Sequence, residues 1–238
     1  MAQVSIIIPA YNEEKRLPAT LQKISAFIKK KKLKAEIIVV DDGSTDNTSG
    51  AALAFKGAKI RVIKNPGNMG KGYSVKNGAM GASGDIILFT DADLSTPIKH
   101  LEEFIAFHKK GYDVVIASRD LVESKVMVPQ SHLREFGGKF FNLMVRVVTG
   151  LMVHDTQCGF KSFTKKAAGI IFPRQTIFNF GFDVELLYIA SRRGLSIKES
   201  AVEWYNDSAT KVKFLRDSVK MFAELFIIRF NGAGGRYN

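Results

Sequence analysis

Cysteine is nearly absent from this chain, and so are long hydrophobic runs. The single cysteine, Cys158, excludes a disulfide within the chain and is typical of a reducing compartment. No uncharged apolar run approaches the roughly 18 residues that a membrane span requires. The first apolar run, at 4–8, is short and meets Pro9, so it lacks the pattern of a secretory signal. We therefore expect a cytoplasmic protein that can still lie peripherally on the cytoplasmic face of a membrane.

Acidic residues are too few to balance the basic ones. The chain has 23 Asp and Glu against 35 Lys and Arg, which gives a formal net charge of +12. This excess favours an anionic partner such as nucleic acid, a phosphorylated ligand or an anionic membrane surface. We predict one domain at 1–208 and a basic amphipathic helical extension at 209–238. Such a helix can lie in a membrane interface, and the alternative is a helix that packs on the sheet.

Short apolar runs, each followed by polar residues, predict buried strands of a mostly parallel sheet. They are residues 4–8, 37–40, 60–63, 86–89 and 114–117. Successive strand–helix units indicate a right-handed doubly wound α/β fold. Further along the chain we predict a polar loop at 121–131, a helix at 134–152, a helix from Asp183 to about Arg193, an edge strand at 195–202 and a loop at 204–210.

Two carboxylates, Asp91 and Asp93, follow the fourth of these strands. Open α/β sheets bind their ligands beyond the carboxyl ends of the strands. A hard divalent cation such as Mg²⁺ takes one or two carboxylates and fills its other positions with water and substrate phosphates. Capping of the next helix would explain Ser95 or Thr96, but it would leave both aspartates unexplained. We therefore predict a cation site here.

Two more acids and a lysine follow the second and third strands. Adjacent carboxylates such as Asp41 and Asp42 are costly unless a ligand or cation accepts them, and we predict that they bind a base or a ribose. The glycine-rich loop at 65–72 contains Lys71, which suggests contact with phosphate. It is not a Walker A loop, because it lacks the first glycine and the final Ser or Thr of that motif.

Later strand ends and helices add further candidates. Arg119 follows the fifth strand and could hold phosphate. Asp183 begins a helix, where it is either a charge favoured by the helix dipole or a residue that faces an acceptor pocket. The apolar arc of the helix at 134–152 is typical of core packing, with lipid contact as the alternative. His154 and Cys158 do not form a convincing metal pair.

Together these motifs resemble inverting family 2 glycosyltransferases of the GT-A (Rossmann-like) fold. The resemblance rests on Ile-Pro-Ala-Tyr-Asn-Glu at 8–13, Val-Val-Asp-Asp-Gly-Ser-Thr-Asp at 39–46, Asn-Met-Gly-Lys-Gly at 68–72 and Thr-Asp-Ala-Asp at 90–93. Within that family the chain most resembles dolichyl-phosphate β-glucosyltransferases, and it resembles dolichol-phosphate mannose synthases more distantly. The narrower match rests on 91–97, 118–119, 155–161 and 182–187.

The resemblance implies a role for each matching position. Asp91 and Asp93 would hold Mg²⁺ or Mn²⁺ on the diphosphate of a sugar nucleotide, with Lys71 near the nucleotide. The nucleoside pocket would be lined by Pro9, Tyr11, Glu13, Asp41 and Asp42. Donor or acceptor phosphates would meet Arg119, Arg134 or Lys211.

The implied reaction transfers a hexose, glucose from UDP-glucose, to a polyprenyl or dolichyl phosphate with inversion. A phosphate acceptor is already an anion. The first alternative is transfer to a glycan hydroxyl, which would require Asp183 as a base. The second alternative is a basic nucleotide-binding module without catalysis. Nucleic acid is not expected, because acidic strand ends would repel phosphates unless a cation intervened. The eukaryotic glucosyltransferases have an N-terminal membrane anchor, and the resemblance does not extend to one, so we expect the amphipathic segments to bind the membrane.

Overall fold

A seven-stranded sheet forms the centre of the computed structural model, which describes residues 4–130, 132–207 and 214–238, without side chains at 132–134 and 214–217. Its strands are β1 (Val4–Ala10), β2 (Ala35–Asp41), β3 (Ile60–Lys64), β4 (Ile86–Thr90), β5 (Val114–Ser118), β7 (Phe160–Thr164) and β8 (Ile197–Ala201). Their order across the sheet is β3-β2-β1-β4-β7-β5-β8. Only β7 runs antiparallel to its neighbours in this described sheet, so the predicted mostly parallel α/β fold is confirmed.

Helices cover both faces of the sheet. They are α1 (Leu17–Lys31), α2 (Thr48–Ala54), α3 (Lys71–Met80), α4 (Leu101–Lys109), α5 (His132–Thr149), α6 (Lys165–Arg174), α7 (Phe182–Arg192) and α8 (Phe214–Ala233). Side chains alternate between the faces along each strand, so Ile6 and Ile8 of β1 pack with α1, α2 and α4, while Ile7 packs with the helices of the opposite layer. This burial on both faces explains why the strands have continuous apolar sequences.

The loop predicted at 121–131 contains a strand, β6 (Lys125–Val128), and that prediction is wrong. β6 pairs in parallel with β9 (Glu203–Tyr205) to form a small second sheet. All four residues of β6 are exposed, so no alternation of burial marks it in the sequence. The loop predicted at 204–210 likewise begins within β9, and residues 208–210 lie outside the described part of the chain.

The last helix packs on the helical layer that contains α5 and α7. Leu225 and Ile228 of α8 and Tyr237 beyond it are buried in the same core. Residues 209–213 lie outside the described residues, and the predicted boundary at residue 208 stays a prediction. Within the described residues, no helix is both long enough and apolar enough to cross a membrane.

Candidate active site

Polar residues from separate parts of the chain meet at the carboxyl edge of the sheet. The parallel register aligns Ala10 with Asp41, and Ile7 with Phe89, so the loops after β1, β2 and β4 leave the sheet on the same side. Helix α3 begins at Lys71, which places this lysine in the first turn. The edge therefore combines acidic strand ends with a cation at a helix amino terminus.

Lys71 forms an ion pair with Asp91. Its Nζ lies 2.6 Å from Oδ1 of Asp91, and the two side chains are 23% and 31% exposed. Burial lowers the pKa of Lys71, but the charges of Asp91 and Asp183 outweigh burial, and the net pKa is raised. The ammonium group is therefore charged at neutral pH, and the pair is open enough for solvent or a ligand to reach it.

Asp93 is close enough to Asp91 for the two charges to interact. Burial, followed by repulsion from Asp91, raises the pKa of Asp93, while the backbone N–H of Ser95 donates a 2.9 Å hydrogen bond to its Oδ1. Arg16 also lowers this pKa through its charge, though less strongly. Two carboxylates that repel one another gain from a bound divalent cation.

The surroundings of Asp91 suit a hard cation with few protein ligands. The backbone N–H of Asp91 donates to the carbonyl of Gly159 at 3.1 Å, and a Cβ at Gly159 would lie 2.0 Å from Oδ2 of Asp91. Among the described residues, no group of three or more His, Cys, Asp or Glu could hold a metal ion. Asp91 and Asp93 are two carboxylates, as many as a hard cation such as Mg²⁺ takes from a protein, and their role as cation ligands stays a prediction.

Asp42 holds the glycine-rich loop. Its oxygens accept hydrogen bonds from Nδ2 of Asn65 at 2.7 Å, the N–H of Met69 at 3.0 Å and the N–H of Gly70 at 2.9 Å. Gly70 has a φ of 101°, a conformation that L side chains rarely adopt. Asp42 therefore positions the residue next to Gly70, which is Lys71. Its role toward a nucleoside stays a prediction.

Asp41 and the loop after β1 form the neighbouring part of the edge. Burial opposes ionisation of Asp41, but hydrogen bonds from Ser44 and Ser49 outweigh it and lower the pKa of this carboxyl. Pro9 and Tyr11 are partly buried, and Glu13 is buried. The carboxylate of Glu13 accepts two 2.8 Å hydrogen bonds from Arg16. These five predicted nucleoside residues lie at the carboxyl ends of the neighbouring strands β1 and β2 and in the loops that follow them, and their contact with a nucleoside stays a prediction.

Arg119 is paired within the protein. Its guanidinium donates to both oxygens of Asp155, at 2.6 and 2.9 Å, and its backbone N–H donates to the same carboxylate at 3.0 Å. Asp155 is fully buried, and although burial opposes ionisation, Arg119 lowers its pKa to about 2. The guanidinium also lies 5.3 Å from the centroid of the Trp204 ring. Contact between Arg119 and a phosphate stays a prediction.

Asp183 is paired with a lysine for which the sequence predicted no role. Nζ of Lys161 lies 2.5 Å from Oδ1 of Asp183 and 2.7 Å from the carbonyl oxygen of Cys158, and both side chains are buried. Burial raises the pKa of Asp183, while Lys161 and then Lys71 oppose that rise. The signal in the sequence is a lysine in the short strand β7, where Lys161 is fully buried and pairs in register with Phe89 of β4, so that it requires a partner of opposite charge.

The side chains of two predicted phosphate ligands lie outside the described part of the structure. Arg134 lies in the first turn of α5, but its side chain is outside the described atoms, and Lys211 is outside the described residues altogether. Neither is placed relative to the site, and their roles stay predictions.

The fold is that of one class of proteins, the GT-A glycosyltransferases. A solved structure of glucosyl-3-phosphoglycerate synthase from Mycobacterium tuberculosis, in complex with Mn²⁺, UDP and glucosyl-3-phosphoglycerate, superposes with a TM-score of 0.71. The match covers 96% of this chain and 80% of that one, at 20% sequence identity, so it shows the fold alone.

The family follows from the sequence comparisons. The family model described as glycosyl transferase family 2 matches residues 5–171, and the chain belongs to this family of enzymes, as predicted. A dolichyl-phosphate β-glucosyltransferase of Trichomonas vaginalis is 36% identical over 93% of this chain and 69% of the relative. The dolichyl-phosphate β-glucosyltransferase of Homo sapiens is 32% identical over 99% of this chain and 77% of the relative.

Proposed function

We propose that this glycosyltransferase moves glucose from UDP-glucose to a dolichyl or related polyprenyl phosphate, with inversion at the anomeric carbon. The observation that carries the proposal is the similarity to dolichyl-phosphate β-glucosyltransferases along nearly the whole chain. The polar edge supports it, because the site has carboxylates for a cation and a lysine for phosphate in contact with one another. The glucosyl-3-phosphoglycerate synthase of the same fold binds UDP and Mn²⁺ in its solved complex.

The donor diphosphate would lie against Asp91, Asp93 and Lys71. The two aspartates would hold Mg²⁺ or Mn²⁺, which when bound offsets the charge that builds on the departing nucleoside diphosphate. Lys71 would exchange part of its contact with Asp91 for a phosphate oxygen, which its partly exposed position allows. The loops bearing Asp41 and Tyr11 would contact the nucleoside.

A phosphate acceptor agrees with the burial of Asp183 and its pairing with Lys161. An oxygen of a lipid phosphate is already anionic, so it can form the new bond to the anomeric carbon while the bond to the diphosphate breaks, with no base required. A hydroxyl acceptor would require a carboxylate that is free to take a proton. Asp183 is 3% exposed, and its Oδ1 already accepts a 2.5 Å hydrogen bond from the ammonium group of Lys161, so an acceptor hydroxyl would have little access to this carboxylate.

The exposed faces of α5 and α8 would lie on the membrane that holds the acceptor. These helices pack together, with the Phe141 and Phe222 rings 5.4 Å apart, and each exposes large apolar side chains. On α5 they are Phe136, Phe140, Leu143 and Val147, and on α8 they are Val219, Phe226, Ile227 and Phe230. Exposed Lys139, Lys220 and Arg229 lie among them, which suits an anionic interface.

A transfer assay tests the proposal. The full chain is incubated with Mn²⁺ or Mg²⁺ and UDP- or GDP-hexoses, with and without a short polyprenyl phosphate, and glycolipid and free sugar are measured. We expect glycolipid from UDP-glucose and little free glucose when the lipid is left out. Transfer to a glycan hydroxyl but not to lipid phosphate would contradict the acceptor assignment. Sedimentation with anionic and neutral vesicles tests the membrane face, and equal failure to bind both would contradict it.

A further inference from the structure

The last helix reaches the candidate active site through one buried side chain, Glu224. Glu224 is 8% exposed, and its Oε2 accepts a 2.9 Å hydrogen bond from the backbone N–H of Gly181. Its Oε1 accepts a 3.3 Å bond from Nδ2 of Asn179. If Gly181 had a side chain, its Cβ would lie only 2.3 Å from Oε2 of Glu224, so the carboxylate contacts the backbone directly. Glu224 therefore holds the segment 178–182.

That segment packs against the start of α3. The carbonyl oxygen of Phe178 accepts a 2.7 Å hydrogen bond from the N–H of Gly72. A Cβ at Gly70 would lie 2.4 Å from the same oxygen, and a Cβ at Gly72 would lie 2.7 Å from the Cβ of Phe182. Because Lys71 lies between these two glycines, a displacement of the segment would displace Lys71 as well.

The same segment leads directly into Asp183. Gly181 is the residue before α7, and Asp183 is in the first turn of that helix. Asp183 forms the buried pair with Lys161 and contributes to the raised pKa of Lys71. One carboxylate on α8 thus supports a segment that has Lys71 on one side and Asp183 on the other.

We propose that Glu224 is a positioning residue for the transfer reaction. By holding residues 178–182 it sets the positions of Lys71 and Asp183 relative to Asp91, without touching the substrate. The mechanical part of this inference, that Glu224 holds residues 178–182, does not depend on the proposed function. The catalytic part, that this support affects the rate of transfer, rests on the proposed function. A purely structural Glu224 would attach α8 to the body of the protein and would leave the amide of Gly72 as well protected as before.

Amide hydrogen exchange on the full chain without ligands tests the mechanical part. In Glu224→Ala we expect the amides of Gly181 and Gly72 to exchange at least about tenfold faster than in the wild type. Glu224→Gln keeps an acceptor oxygen and is expected to fall between the two. The control is Ile228→Val, which trims a buried side chain of the same helix and leaves Glu224 in place. Unchanged exchange at Gly72 in Glu224→Ala, or equally fast exchange in Ile228→Val, would overturn the proposal.

Steady-state kinetics on the same variants test the catalytic part, at a temperature where thermal unfolding shows all of them folded. We expect kcat for sugar transfer to fall about tenfold in Glu224→Ala, less in Glu224→Gln and not in Ile228→Val. Wild-type kcat in Glu224→Ala would overturn the positioning role. No transfer by the wild type would instead overturn the proposed function and the catalytic part with it, while faster exchange at Gly72 would still support the mechanical part.

Discussion

Two ion pairs at the carboxyl edge of the sheet each join a basic side chain to a carboxylate, and they differ in how far that carboxylate is buried. Lys71 and Asp91 are 2.6 Å apart, and both are partly exposed. Arg119 and Asp155 are also 2.6 Å apart, but Asp155 is fully buried and accepts three hydrogen bonds from Arg119. The first pair can exchange its partners for a ligand, and the second has its hydrogen bonds satisfied inside the protein.

This difference in burial distinguishes residues that can bind a substrate from residues that stabilise the fold at this edge of the sheet. An exposed pair adds little to stability, whereas a buried pair is costly to break from one side because the remaining charge loses its partner. We therefore expect substitutions in the Lys71–Asp91–Asp93 cluster to reduce activity, and substitutions in the Arg119–Asp155 pair to reduce stability.

The largest effect is expected from Asp93→Asn. Loss of this carboxylate should lower turnover by at least about 10³-fold, because the cation would lose one of its two protein ligands. The unfolding transition should stay in place, since the substitution relieves repulsion from Asp91. Asp85→Asn is the matched control, because Asp85 precedes β4 at the opposite, amino-terminal end of the strand. Retained turnover in Asp93→Asn would remove Asp93 from the metal site.

The next largest effect concerns stability. Asp155→Ala leaves the Arg119 guanidinium without its buried partner and should lower the free energy of unfolding by about 3 to 4 kcal/mol. Asp91→Ala should change it by less than about 1 kcal/mol, because its pair with Lys71 is partly exposed. Urea unfolding measures both. Equal losses in the two variants would contradict the distinction between the pairs.

Lys71→Met should affect activity more than stability. We expect kcat/KM for the donor to fall about 10²-fold, since a positive charge next to the diphosphate is lost. Lys76→Met is the control on the same helix, because Nζ of Lys76 donates to the backbone carbonyl of Gln175 at 2.9 Å, away from Asp91. An equal loss of kcat/KM in both variants would show that the effect comes from helix α3 and not from the charge of Lys71.

The smallest effect is the response to acid. The pKa of Asp155 is lowered from the ordinary 3.8 to about 2 in the folded state, so its stabilisation is present above about pH 4 and is lost as pH falls toward 2. The loss should be about 2 kcal/mol, measured as the free energy of unfolding against pH. Asp155→Asn should show a flatter curve over this range, and an identical slope would assign the acid response to other groups.

Much of the site could be predicted because it follows strands with a simple pattern. Burial on both faces makes β1, β2 and β4 continuous apolar runs, and the residues after them necessarily meet at one edge. The family motifs lie in these same loops. For this reason the fold and the family could be predicted from the sequence.

The partners of those residues could not be predicted, because they come from distant parts of the chain. Nothing local to Arg119 indicates that Asp155 binds it, and nothing local to Asp183 indicates Lys161. The antiparallel insertion of β7 between β4 and β5 brings Gly159 beside Asp91 and Lys161 beside Asp183. Long-range pairing of this kind leaves no periodic pattern in a single sequence.

We expect the Lys71–Asp91–Asp93 cluster to bind a divalent cation together with the donor diphosphate, and calorimetric titration of UDP with and without Mn²⁺ measures this coupling. We predict that Mn²⁺ raises the affinity of the wild-type protein for UDP by at least about tenfold and has no such effect in Asp93→Asn. Equal affinity for UDP with and without Mn²⁺ in the wild type would contradict the account.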